Sequence, residues 1–169
     1  ENGKLKTSYG GGLCQLSGLL FQLFLNSPLT ITERHAHARE TLPPAQMEET
    51  VGLDAAVSEG WLDLKAYNPT DAAFQLDFEL DQEYIRGRLL SDKPSQYEYK
   101  LFNSELEYFY REGKLFRNLQ VSRIKTDKNT GENQEELLYS EECQICYPAD
   151  LQISEQLSFP IKVKLFRNL

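Results

Sequence analysis

Between Leu13 and Asn26 the residues Leu16, Leu19, Leu20, Leu23 and Phe24 recur at helical spacing, and Pro28 stops the pattern. This predicts one buried N-terminal helix. Three glycines, Gly10, Gly11 and Gly12, precede it, so the backbone can turn sharply and leave the first helical amides unobstructed. After Pro28 the texture changes to TITERHAH, rich in β-branched residues, which predicts a strand; Thr41–Thr50, with Pro43 and Pro44, reads as a polar loop. From Trp61 onward WLDLKAY, FQLDFEL, YIRGRLL, YEYKLF, LEYFY and LFRNLQVSRI alternate apolar and polar positions between turn-forming segments. That alternation predicts an antiparallel meander. TDKNTGENQEE, residues 126–136, reads as an exposed hairpin connection with LLYS continuing the sheet beyond it. The expected fold class is therefore α+β, one buried helix packed on a mostly antiparallel sheet.

A chain of 169 residues suits one domain, and 40% hydrophobic, 11% aromatic and 26% charged residues fall in the globular range. We expect the domain to occupy residues 1–150, with 151–169 a tail or an extra strand. The hexapeptide KLFRNL occurs at Lys114–Leu119 and again at Lys164–Leu169, with no longer period around it. The net charge of -8 and the lack of any basic run disfavour nucleic-acid binding. LLFQLFL is far shorter than the roughly 20 apolar residues of a membrane-spanning helix, so no transmembrane segment is expected. The chain opens on Glu1 rather than Met, as expected of a fragment, and its compartment is unreadable. Three cysteines, an odd number, leave at least one thiol outside any disulfide.

The candidate chemistry gathers in two blocks, YGGGLCQLS and ERHAHAR. Cys14 falls in the first turn of the predicted helix, where unpaired amides and the helix dipole favour a thiolate. Ser17 shares its face one turn on, and Gln15 offers an amide to a developing oxyanion. The plain structural alternative is a buried cysteine beside a glycine turn. His35 and His37 are the only histidines, and in an extended segment both project from one face. One can serve Cys14 as base while the other, or Arg34, binds an anionic group. Two solvent-facing histidines at a strand end are the corresponding alternative. Asp63, on the face of Trp61 and Lys65, can orient a histidine and complete a Cys-His-Asp set, with Asp54 and Glu59 competing for that role. Cys14, His35, His37 and a carboxylate also make a conceivable zinc set, ranked below the thiol because no tighter zinc signature is present. No metal or other cofactor is therefore expected. Cys143 and Cys146 form a lone Cys-x-x-Cys, read as structural.

YGGGLCQLSGLLF, then ITERHAHAR, then VGLDAAVSEGWLDLKAYNPTD resemble, in that order and spacing, the VanW family of accessory proteins named from vancomycin-resistance gene clusters. The resemblance runs from Asn2 to about Asp71 and extends through Tyr147. It implies a bacterial role in glycopeptide resistance or cell-wall metabolism, without a reaction, and it implies a further stretch before the glycines. Position by position it covers Gly10, Gly11, Gly12, Cys14, Gln15 and Ser17, then Glu33, Arg34, His35 and His37, then Asp54 and Asp63. Two functions follow. One is a cysteine-dependent acyl-transfer or hydrolytic enzyme on peptidoglycan peptides, with Cys14, His35, His37 and Asp63 as catalytic residues. The other is a non-catalytic protein that holds a wall precursor through Gly11, Gly12, Gln15, Ser17 and Arg34.

Overall fold

The structure, a computed structural model, describes residues 12–41, 50–81 and 84–147. Gly10, Gly11, the Pro43-Pro44 segment, the expected tail 151–169 and the second KLFRNL copy lie outside the described residues. In chain order the elements are α1 (Leu13–Leu25), β1 (Thr30–Glu33), β2 (Arg39–Glu40), β3 (Lys65–Tyr67), β4 (Phe74–Leu80), β5 (Ile85–Ser91), β6 (Tyr97–Arg111), β7 (Lys114–Asp127) and β8 (Asn133–Ile145). They belong to two compact units. The first comprises the residues up to His35 together with Asp54–Ser95; the second comprises Ala36–Leu53 and the residues from Gln96 on.

In the first unit α1 follows Gly12, whose φ of 84° is a left-handed conformation that glycine adopts without penalty. Its C-terminus is closed by side chains: Asn26 Nδ2 donates to Gln22 O at 2.9 Å and Ser27 Oγ to Phe24 O at 2.7 Å. These groups occupy the last carbonyls that an α-helix leaves without internal donors. The deepest face of the helix is Ser17, Gly18, Phe21 and Leu25, one position away from the leucine stripe that the periodicity picked out. Leu19 and Leu23 of that stripe instead lie over β5. A Cβ on Gly87 would sit 3.0 Å from both Leu19 Cδ2 and Leu23 Cδ1, so the missing side chain is what lets the helix approach the strand.

β5 pairs antiparallel with β4 from Leu80↔Ile85 to Phe74↔Ser91. One face of this hairpin is apolar; the other sets Asp77 opposite Arg88 and Glu79 opposite Arg86, opposite-charge pairs of the kind that support a two-stranded ribbon. β1 and β3 form a second ribbon, with Glu33 opposite Lys65 after an irregularity between Ile31 and Glu33. WLDLKAY supplies only its last three residues to β3. The Ser58–Gly60 turn, closed by Trp61 N–H and Leu62 N–H donating to Ser58 O, holds its beginning out of the strand.

The second unit is a sheet in the order β2-β8-β7-β6, antiparallel except for the β2–β8 pair. YEYKLF and LEYFY fuse into the single 15-residue β6, bent by a bulge between Asn103 and Glu105. At the bulge Asn103 substitutes for a strand: its Oδ1 accepts Val51 N–H at 2.8 Å and its Nδ2 donates to Val51 O at 3.0 Å. The β7–β8 connection is an exposed hairpin as expected but shorter than residues 126–136, because Asn133 onward already pairs with β7; Asp127 draws it in, its Oδ1 accepting the N–H groups of Asn129 and Thr130. The Asn129 N–H first, then the Gln96 side-chain amide, with the Thr130 N–H adding to them, hold the Asp127 carboxyl below its ordinary value. Leu119, Val121, Cys143 and Ile145 are buried here, as is Arg117, which reaches Glu40 of β2 at 2.7 Å.

These observations correct the expected α+β class. Among the described residues one 13-residue helix stands against eight strands, three of them 13 to 15 residues long, so the fold is mainly β. The expectation gave the helix too much weight because its strong periodicity is compact in sequence, whereas β6 was read as two short pieces. The helix is also only partly buried, with Leu13 and Cys14 exposed.

Candidate functional site

The first unit brings four of the candidate residues, Cys14, Ser17, Arg34 and His35, to one segment that carries no secondary structure, Asp54-Ala55-Ala56-Val57. On one side it meets the start of α1. Ser17 Oγ donates to Ala55 O at 2.5 Å, and the Cys14 thiol approaches Val57 O at 3.9 Å. On the other side it meets the chain leaving β1. Ala56 N–H donates to His35 O at 2.8 Å, while Arg34 gives Nε to Asp54 O at 2.8 Å and Nη2 to Asp54 Oδ1 at 2.9 Å. The four residues thus strap the start of α1 to the backbone of His35 through their peptide groups. Alanine and valine suit this, because the strap works through its backbone and its side chains only have to pack.

Each partner is fixed for an identifiable reason. Ser17 is buried, so its hydroxyl must find an acceptor, and it takes Ala55 O as well as Cys14 O at 3.2 Å. Arg34 is 10% exposed and lies 5.1 Å above the Phe21 ring, a cation–π contact added to its two-pronged grip on Asp54. Ser17 and Arg34 therefore act as builders of the strap. Cys14 is exposed in the first turn of a helix that has no side-chain N-cap and no acidic residue in that turn. Gln15 is exposed, its N–H already bonded to Gly12 O at 3.0 Å, which leaves its side-chain amide as the group it can offer.

His35 Nε2 lies 3.0 Å from Glu33 Oε1, and the other oxygen of Glu33 accepts Lys65 Nζ at 2.6 Å. Lys65 first, and His35 second, hold the Glu33 carboxyl down at about 2. Glu33, with Asp63 behind it, raises Lys65 in turn. Asp63 is well exposed and sits 3.2 Å from Lys65 Nζ, so it reaches His35 only through Lys65 and Glu33. His37 belongs to the second unit and lies outside any strand, as does His35. Gly12 is the N-cap of α1, and Gly11 lies outside the described residues.

The sequence places Glu33 in the ERHAHAR block and in the family resemblance without assigning it a role, and it does not single out the strap. Glu33 stands in TITE as one more polar position of a strand; its signal was its place two residues before His35 and opposite Lys65. Asp54 was weighed as an orienter of histidine, and the structure engages it with Arg34. Among the described residues no group of three or more His, Cys, Asp and Glu side chains is arranged to hold a metal ion. None of their helices is long and apolar enough to cross a membrane. Cys143 and Cys146, one buried and one exposed, are thiols that both approach Gln144 O, at 3.6 and 3.8 Å.

The family model described as VanW like protein matches residues 1–90, which contain this whole constellation. The chain is 42% identical over 160 residues to the vancomycin B-type resistance protein VanW of Enterococcus faecalis. That alignment takes in 92% of this chain and 58% of the relative, so the chain spans a little over half of the relative's length. No solved structure matches the chain.

Proposed function

We propose, for a chain that belongs to the VanW family, a part in vancomycin resistance played through a cysteine-dependent acyl-transfer or hydrolytic step on peptidoglycan peptides. The association with resistance comes from the relative's name, and the wall peptide is the substrate class consistent with it. The observation that carries the reading is the strap. The exposed Cys14 thiol at the helix start and the backbone of His35 meet adjacent residues of one short segment, Val57 and Ala56, which supports reading them as a nucleophile and its base.

In this reading His35 takes the proton of Cys14, and the thiolate forms a C–S bond to the carbonyl carbon of a peptide bond. The carbonyl π pair moves to oxygen, near the exposed Gln15 amide. When the pair returns, the C–N bond breaks and the leaving nitrogen takes the proton from His35. Water or an amine then repeats the sequence on the thioester and releases Cys14. Arg34 keeps the strap in place, and Asp63 contributes through Lys65.

Replacing Cys14 with Ala in the full-length protein of a resistant host tests this. The substituted residue is exposed, so folding should be retained while the contribution to resistance is lost. Resistance that survives Cys14→Ala would reject the enzymatic reading and leave a non-catalytic protein that binds a wall precursor.

A further inference from the structure

We infer that Glu33 is the positioning residue of this site: it accepts the Nε2–H of His35 and so fixes Nδ1 as the nitrogen that takes a proton. The inference rests on reading Cys14 as nucleophile and His35 as base, and it replaces Asp63 with Glu33 as the residue that orients the imidazole. A carboxylate can only accept, so a neutral imidazole 3.0 Å from Glu33 Oε1 must present a protonated Nε2 and carry its lone pair on Nδ1. The carboxylate is divided cleanly between two tasks, Oε1 to His35 and Oε2 to Lys65. Lys65 keeps it ionised, and the Glu33↔Lys65 pairing of β1 with β3 fixes where it stands.

The histidine is constrained from the other end as well. Ala56 N–H holds His35 O at 2.8 Å, so the backbone is pinned and the ring's remaining freedom is rotation about its side-chain bonds. The Glu33 contact removes that freedom. Of the other carboxylates named for this role, Asp54 is engaged by Arg34 and Asp63 by Lys65, and Glu59 is exposed in the Ser58–Gly60 turn. When His35 takes a proton it becomes an imidazolium whose Nε2–H already faces an anion, so the charge formed in the step is stabilised without rearrangement.

The test is imidazole ¹⁵N–¹H correlation spectroscopy on the ¹⁵N-labelled chain at a pH where histidine is neutral, with His37→Gln separating the two rings. The parent should show His35 as one tautomer, Nε2 protonated and Nδ1 bare. Glu33→Leu should give a mixture of both tautomers, and Lys65→Met, which removes only the Oε2 partner, should keep the single one. If Glu33→Leu does not fold, Glu33→Gln serves, because an amide can accept from or donate to Nε2 and should also yield the mixture. The same tautomer distribution in the parent and in whichever Glu33 variant folds would overturn the inference. Alkylation of Cys14 with iodoacetamide, followed by peptide mass spectrometry, separates the two levels. A drop of about tenfold in rate in the Glu33 variant and in His35→Gln supports both. A Cys14 rate indifferent to His35→Gln rejects the nucleophile–base reading, while the tautomer result still decides what Glu33 does.

Discussion

The β6–β7 pair and the Asp54–Val57 strap are both held by hydrogen bonds, but in opposite ways. β6 and β7 run in register from Tyr97↔Asp127 to Arg111↔Lys114 with a single bulge, so each backbone bond has similar neighbours to either side. The strap has no such ladder. It is held by Ser17, Cys14, Arg34 and the backbone of His35, each contributing a different kind of contact. Redundancy makes the sheet tolerant of single changes. The strap, built from individual side chains, should be sensitive to them, and that sensitivity accompanies a geometry specific enough for chemistry.

The sharpest way to break this contrast is where α1, which carries Cys14 and Ser17, packs on β5. Gly87→Val places a branched side chain where even a Cβ would press on Leu19 and Leu23, and should cost about 1–3 kcal/mol in urea unfolding of the first unit. A smaller loss, on the order of 1–2 kcal/mol, is expected for Ser17→Ala, which leaves the buried Ala55 carbonyl without its donor. Hydrogen exchange should localise that loss to the Ala56 N–H and the start of α1, with β7 amides unchanged. An equal loss of protection in β7 would show that the two regions do not differ as argued.

Acid should loosen the first unit before the meander. The folded carboxyl of Glu33 lies at about 2, below its ordinary value, so its interactions with Lys65 and His35 are present above about 4.5 and lost as pH falls toward 2. Glu33→Gln should flatten that part of the stability–pH curve. Asp127 is depressed in the same direction but within a hairpin turn, so it contributes a separate change, removed by Asp127→Asn. The smallest effect should be Arg111→Gln: it removes an exposed two-pronged pair with Glu142 and a cation–π contact 4.1 Å above the Phe116 ring, at the end of a long ladder, and should lower the melting temperature by no more than about a few degrees.

Much of this architecture was legible in the chain. The apolar period and Pro28 marked the helix to within a residue of its end, and alternation marked β4 through β7 because a half-buried strand imposes a period of two, whereas of β8 only LLYS was legible. The lengths were less legible. A bulge lets β6 continue through Asn103, and no local residue preference announces that. WLDLKAY alternates as a strand does, yet the turn at Ser58–Gly60 claims its first residues.

The site divides along the same line. Cys14, Arg34 and His35 stood out by residue type, and the first unit does connect them. The strap did not stand out, because its function resides in backbone carbonyls and amides that any sequence possesses. Glu33 was hidden by its ordinary place in a strand, and only the pairing of β1 with β3 reveals that its two oxygens serve different partners.

The central claim is that the first unit builds an activated thiol from Cys14 and His35. Cys146, exposed and at the end of β8, is an internal reference for an ordinary accessible thiol in the same molecule. Iodoacetamide labelling at pH 7, quantified by mass spectrometry of the peptides carrying each cysteine, compares the two directly. Cys14 should react about tenfold faster than Cys146 and lose that advantage in His35→Gln. Equal rates at the two cysteines, unaffected by His35→Gln, would contradict the account.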